Sequence, residues 1–235
     1  MSAAPAPDDE LRTLEAELRR RFRTAVTPIS VAGRSLEILH PASAEELISE
    51  DDFARDERLP YWADIWPSSI ALAGHVLEAP PPPAGGQLLE LGCGSGLVAT
   101  AAALAGWAVL ATDYYDDALR FTRVNAWRGA GASVATRHLD WRALPDDLPA
   151  FDLVVASDVL YERPYAALVA SVLKRTVAPG GRALIADPGR LALGGFLDEC
   201  RARRLSPREA AEVRYRDGQI RQTIRIHELT HARAG

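Results

Sequence analysis

Apolar positions first recur at helical spacing at Leu11, Leu14, Leu18 and Phe22, with charged residues between them. That spacing gives one apolar face, so a helix is predicted from about Glu10 to Arg23. Pro28–Ser30 and Ser35–Leu39 flank Ala32-Gly33 and read as a hairpin. Ser43 ahead of Glu46 has capping-box spacing for a short helix. Tyr61–Pro67 reads as a loop rich in Trp and Pro, followed by a helix over about Ser68–Glu78. The run Pro80–Pro83 and the pair Gly85-Gly86 then close this N-terminal part.

From Gln87 the pattern alternates between short apolar runs and helical spacing. Strands are predicted over Gln87–Leu91, Trp107–Asp113, Val134–His138, Phe151–Ser157 and Arg182–Asp187. Helices are predicted over Leu97–Ala105, Asp116–Trp127, Pro164–Val177 and Gly189–Arg203, with Pro179-Gly180-Gly181 as punctuation. Two late segments, about Arg208–Tyr215 and Gln222–Leu229, alternate in strand fashion around the turn Asp217-Gly218. Repeated strand–helix units imply a parallel sheet covered by helices on both faces. The fold expected is α/β, Rossmann-like: a mostly parallel seven-stranded sheet with an antiparallel edge and an N-terminal helix and hairpin extension. Residues 1–10 read as a disordered tail, 11–84 as the extension and 85–235 as the core.

Composition narrows the function classes. At 235 residues, 48% hydrophobic and 25% charged, the chain is an ordinary globular domain. A net charge of -5 argues against a nucleic-acid partner, which favours a basic face. No apolar run approaches the roughly 20 residues of a membrane helix. The start, Pro- and Ala-rich and acidic, lacks a signal peptide's basic and apolar regions. Cys93 and Cys200 form no disulfide framework, and His40, His75, His138, His227 and His231 are scattered without metal spacing, so no metal is expected. A cytoplasmic enzyme is expected. Lys174 is the single lysine in 27 basic side chains, which reads as the coding bias of a GC-rich, bacterial genome.

The sharpest local feature is Glu90-Leu91-Gly92-Cys93-Gly94-Ser95-Gly96, which closes an apolar strand and opens a helix. Glycines there allow a sharp turn and close approach of the backbone to a ligand. A dinucleotide fingerprint places its third glycine at position 97, which is Leu97 here, so a nicotinamide cofactor is the weaker reading. Asp113 ends the next strand, where a carboxylate can accept two ribose hydroxyls. A helix cap is the other reading, and Asp116 fits it better. Asp140 and Trp141 follow the third strand, where Asp140 would accept an adenine amino group and Trp141 would cover the ring or pack in the core.

The glycine loop with Glu90 ahead of it resembles the first motif of class I S-adenosylmethionine (SAM) methyltransferases. That resemblance implies that Gly92, Gly94 and Gly96 line the cofactor. Three more segments, Pro60–Pro67, Leu139–Trp141 and Ala156–Tyr161, stand in order around the loop. Together they resemble the seven-strand protein lysine methyltransferases called methyltransferase family 16, over about Pro28 to Asp187. The Pro60-Tyr61-Trp62-Ala63 start is most similar to the branch directed at electron-transfer flavoprotein. By that resemblance Glu90 and Trp66 would contact SAM, and Trp141 and Ala156 would line the adenosine pocket. Asp158 and Tyr161 would match the family's Asp-x-x-Tyr/Phe element and be catalytic. The chain departs at Asp64, where the branch has an aromatic or apolar residue, and at Ser68-Ser69, where it commonly has glycines.

Methyl transfer from a sulfonium is an in-line displacement governed by positioning and desolvation. Asp158 and Tyr161 would hold an amine and cover the charge that develops on nitrogen, although Asp158 also fits as a turn cap. Tyr61 and Trp62 would wall an amine channel with aromatic faces, or simply pack the loop onto the sheet. The acceptor expected is a lysine side chain of a protein, or else a small-molecule amine. A non-catalytic SAM-binding module is a third reading, which intact Asp158 and Tyr161 oppose.

Overall fold

The computed structural model describes residues 7–47 and 60–232. Helix α1 (Pro7–Arg21) leads into a hairpin of β1 (Thr24–Val31) and β2 (Arg34–Pro41), and a 3-10 turn covers Glu45–Leu47. A second 3-10 turn, Tyr61–Ala63, precedes α2 (Pro67–Glu78). The core runs β3 (Gln87–Leu91), α3 (Leu97–Leu104), β4 (Ala108–Asp113), α4 (Asp116–Ala130), β5 (Ala135–His138) and β6 (Phe151–Ser157). It finishes with α5 (Tyr165–Thr176), β7 (Val177–Asp187), α6 (Leu193–Ala202), β8 (Leu205–Asp217) and β9 (Ile220–His231).

The seven core strands form one sheet in the order β5-β4-β3-β6-β7-β9-β8. Its first five strands are parallel and β9 pairs antiparallel with both β7 and β8, as the strand patterns predicted. Strand alternation splits the interior into two layers. Leu88, Val155, Leu184 and Ile226 face a core under α2 and α3, while Leu89, Val154, Ile185 and Leu229 face one under α5 and α6. The chain runs from β3 outward to β5, then returns to the other side of β3 with β6. That reversal opens a crevice at the carboxyl ends of the strands, the position open α/β sheets use for ligands.

The extension packs onto α4. Leu11, Leu14 and Leu18 of α1 are buried against Ala118, Phe121 and Val124 in a third cluster that includes Leu39 and Trp62. Arg21–Asp117, Arg120–Glu17 and Arg128–Glu15 pairs at 2.6, 2.7 and 2.6 Å flank it. Such solvent-accessible pairs, one exposed and two part-buried, contribute modestly, so apolar burial holds α1 and the charges fix its orientation. Ala32 and Gly33, at φ 47° and 71°, supply the two left-handed residues of a tight hairpin turn. Asn125 of α4 joins hairpin to core: it accepts from the Leu39 backbone N–H at 2.8 Å and donates to the carbonyls of Leu39 and Ser95 at 2.7 Å each.

Several expected boundaries move, three of them for a visible reason. Helix α1 begins at Pro7, with Asp8, Asp9 and Glu10 in its first turn where the helix dipole favours them, so residues 7–10 are helical rather than a disordered tail. Residues 1–6 lie outside the described residues. Strand β7 begins at Val177, because Pro179–Gly181 forms an irregularity within the strand and not a break before it. A Cβ on Gly181 would lie 2.8 Å from the Phe151 carbonyl oxygen. The last helix starts at Leu193, not Gly189, because Asp187 Oδ1 accepts the N–H groups of Gly189 and Arg190 at 2.7 Å each and turns the chain first. The capping hydrogen bond from Glu46 N–H to Ser43 Oγ is present at 3.3 Å. No helix among the described residues is long and apolar enough to cross a membrane.

Candidate active site

A cleft opens at the carboxyl ends of β3, β4 and β6. Gly92, Gly94 and Gly96 line it, at φ 69°, 53° and 84°. Positive φ suits glycine, and space demands it as well. A Cβ on Gly94 would sit 3.0 Å from the Trp62 carbonyl oxygen, and one on Gly96 would sit 2.6 Å from Thr122 Cα. Thr122 also donates its hydroxyl hydrogen toward the Gly94 carbonyl oxygen at 3.1 Å, which ties the loop to α4.

Asp113, at the end of β4, reaches under this loop. Its Oδ2 accepts from Gly94 N–H and its Oδ1 from Tyr115 N–H, both at 3.0 Å. Burial pushes its carboxyl above the usual range, partly offset by those backbone donors. The carboxylate lines the cleft, where it is placed to accept the hydroxyls of a diol. Asp140 and Trp141 line the same end. Arg142 grips the Asp140 carboxylate with its guanidinium at 2.8 to 3.1 Å. The Trp141 ring lies 3.7 Å from where a Gly92 Cβ would be, so it covers the glycine loop. Tyr114 and Tyr115, directly after Asp113, complete this wall.

The other end is aromatic. Ring centroids run from Trp66 to Tyr61 at 5.9 Å, Tyr61 to Tyr161 at 5.3 Å, Tyr161 to Tyr165 at 4.9 Å and Tyr165 to Trp141 at 5.8 Å. All five rings line the cleft, and Trp66 Nε1–H donates to the Tyr61 carbonyl at 2.9 Å. Asp158 sits behind them in the left-handed region at φ 59° and is 7% exposed. Its Oδ2 accepts from the Ser68 hydroxyl at 3.1 Å, and its Oδ1 accepts from Arg190 Nε–H at 2.6 Å. The Asp64 carboxyl, exposed at the same mouth, is raised by partial desolvation.

Three expected contacts are corrected. Trp62 is among the cleft residues, but its ring packs on Phe22, Tyr115 and Phe121 and is 9% exposed, with its carbonyl at the glycine loop. Glu90 lies behind the loop rather than on the cofactor surface. As an even-numbered residue of β3 it shares the side of Leu88, under α3, and its Oε2 is buried without a partner. Burial, then the Asp113 charge, push its carboxyl well above the usual range. Ala156 points the other way into the core under α5, and its neighbour Ser157 reaches the cleft instead. Sequence reading missed Ser68, Tyr114, Tyr115, Asn125, Tyr165 and Arg190. For Arg190 the signal was present: Asp187-Pro188-Gly189-Arg190 is a turn at the end of β7, next to the strand that carries Asp158.

A sequence model described as lysine methyltransferase matches residues 56–191. The chain belongs to this family. An electron transfer flavoprotein beta subunit lysine methyltransferase from Xenopus laevis is 35% identical over 136 residues, covering 56% of this chain and 53% of the relative. A ubiquinone biosynthesis O-methyltransferase from Methylococcus capsulatus is 35% identical over 99 residues, 42% of this chain and 41% of that one. The chain thus spans about half the length or less of these curated relatives. A ribosomal protein L11 methylase from Lactobacillus delbrueckii shares the fold at a TM-score of 0.55 and 20% identity, covering 72% of this chain and 81% of that one.

The residues present fit the SAM of a class I methyltransferase. The glycine loop lines the cleft with backbone, packed too closely on Trp62 and Thr122 for a Cβ at Gly94 or Gly96, Asp113 lies beside it, and the aromatic faces suit a sulfonium.

Proposed function

We propose that this protein transfers a methyl group from SAM to the ε-amine of a lysine in a protein. The observation that carries the reading is one continuous cleft with two chemically distinct ends. One end has the glycine cradle and Asp113, and the other has a ladder of aromatic rings in front of the Asp158 carboxylate. Bound at the first end, SAM supplies an electrophilic methyl on a sulfonium. Gly92, Gly94, Gly96 and Asp113 hold the cofactor, with Asp140, Trp141 and Trp66 at its flanks. Tyr61 and Tyr161 exclude water from the acceptor and orient its nitrogen along the axis to the methyl group. Asp158 faces the positive charge that builds on that nitrogen.

The acceptor to test first is an electron transfer flavoprotein beta subunit, since that is what the Xenopus relative is named for. The cytoplasm is the proposed location, supported by two cysteines that are both buried as free thiols. Tritiated SAM added with the purified protein to lysate from a deletion strain tests the reading. Label in a protein band that survives acid precipitation and maps to lysine supports it. Label confined to the small-molecule fraction replaces it with a small-amine acceptor.

A further inference from the structure

The aromatic acceptor end contains a problem that Arg190 solves. An attacking amine needs its lone pair, so it must lose a proton before transfer. A buried carboxylate and aromatic faces both favour the protonated ammonium instead. Asp158 is such a carboxylate. Tyr61 and Asp64 face the same end from the 3-10 turn and the loop after it. Tyr161 and Glu162 face it from the loop after β6, and Tyr165 from α5. The Asp187 carboxyl, raised by burial, lies close enough to interact with both Asp158 and Arg190. None of these groups repels a cation.

Arg190 is the opposing charge. It donates Nε–H to Asp158 Oδ1 at 2.6 Å, and its guanidinium carbon lies 5.4 Å from the centroid of the Trp66 ring. Asp187 Oδ1 holds the backbone of this turn through Gly189 and Arg190 N–H at 2.7 Å each. Arg190 is therefore built in from both ends, side chain and backbone.

We propose that Arg190 is a positioning residue that acts through Asp158: it offsets the carboxylate's charge so that the acceptor amine binds as the free base. The proposal rests on the amine-methyltransferase reading. Ser68 fills the second oxygen's donor position with a neutral hydroxyl, so among the described residues Arg190 is the cation paired with Asp158, while Arg142, which lines the cleft, pairs with Asp140. The proton leaves to solvent before transfer. The nitrogen lone pair then forms the N–C bond while the C–S pair returns to sulfur.

The test uses n-butylamine, carbon-13 labelled beside nitrogen, bound to the enzyme saturated with S-adenosylhomocysteine. Its NMR chemical shift against pH gives the protonation midpoint of the bound amine without turnover. Arg190→Gln should raise that midpoint by roughly one unit, the low end for loss of a nearby opposite charge. Arg190→Lys, which keeps the charge, should stay near wild type, and Asp158→Asn should lower it. S-adenosylhomocysteine affinity measured on each variant confirms a folded cofactor end. Identical midpoints in wild type and Arg190→Gln overturn this proposal alone. If labelled amine shows no binding to the wild-type complex, the amine-acceptor reading fails, and this proposal with it.

Discussion

The Asp113 carboxylate accepts the backbone N–H of Gly94 at 3.0 Å, so the acid that ends β4 also shapes the loop it was expected only to face. Its second oxygen holds Tyr115 N–H, and the side chain is 7% exposed. Asp113→Ala should therefore weaken SAM binding by about 1–3 kcal/mol, through unpaired ligand hydroxyls and a slackened loop. Calorimetry with SAM, and with NAD as the control, measures it. Unchanged SAM affinity would make Asp113 purely structural.

Glu90 gives a pH signature. Its carboxyl is pushed well above the usual value by burial and by Asp113, so the folded state holds a proton that the unfolded state releases. With more protons bound in the folded state, stability falls as pH rises from the unfolded carboxylate value toward the raised folded one. Asp113 and Asp187, also raised, add to the same slope. Glu90→Gln keeps shape and removes the titration. Its melting temperature at pH 8 should exceed wild type, with roughly 2–4 °C for each kcal/mol recovered. His75 and His227, both lowered by burial, tilt the wild type the opposite way, so the difference between the two proteins is the readout, and a gap that does not widen from pH 5 to pH 8 would contradict the assignment.

The glycine loop makes a steric prediction. Gly96→Ala places a methyl 2.6 Å from the Thr122 backbone at φ 84°, so either α4 or the loop must move. SAM affinity should drop at least tenfold, while Gly131→Ala, which has nothing within 4 Å, should leave it unchanged. Both variants pay the left-handed strain, so the pair isolates the contact with α4.

Most of the fold was legible because strands and helices advertise their period locally. Gln87–Leu91 and Phe151–Ser157 match the observed strands residue for residue. The glycine loop, Asp113 and Trp141 were placed from the strand ends and Tyr161 from the family resemblance, and all of them line the cleft. Asp158 was legible as a position but not as half of an ion pair, since Arg190 is 32 residues away and meets it only through tertiary folding. The error at Trp62 has the same origin. A 3-10 turn sends neighbouring rings in different directions, so Tyr61 meets Tyr161 while Trp62 meets Phe121. Loop periodicity carries no signal for that division.

That division is testable. Tyr61 is 39% exposed and Trp62 is 9% exposed. Trp62→Ala should cost about 3–5 kcal/mol of stability, as for other buried aromatic truncations. Tyr61→Ala should leave the melting temperature within a few degrees and raise KM for the acceptor. Urea unfolding of the two variants, with steady-state kinetics on Tyr61→Ala, checks both. Equal destabilisation would mean that Tyr61 is a packing residue too.

Asp158 carries the most specific prediction about chemistry. It follows β6 directly, and its N–H is fixed to the Ala186 carbonyl at 2.9 Å, so the left-handed backbone aims it at the acceptor end. Asp152, near the start of β6, accepts from Gln87 N–H at 2.9 Å at the opposite end of the strands and serves as the control. The carboxylate matters most when positive charge builds on the attacking nitrogen, so its loss should lower kcat and kcat/KM together. Asp158→Ala also strands Arg190 and leaves Ser68 without its acceptor, which lowers stability. Asp158→Asn is the cleaner variant, because it keeps shape and the Ser68 hydrogen bond while removing the charge. Turnover of Asp158→Asn should fall by about 10²-fold, the low end for one acid–base group, with SAM affinity within a few-fold of wild type. Asp152→Asn should change neither. Calorimetry for SAM and steady-state rates on the same preparation separate the outcomes. A variant that loses SAM binding yet keeps its turnover at saturating SAM would move Asp158 from the acceptor end to the cofactor end.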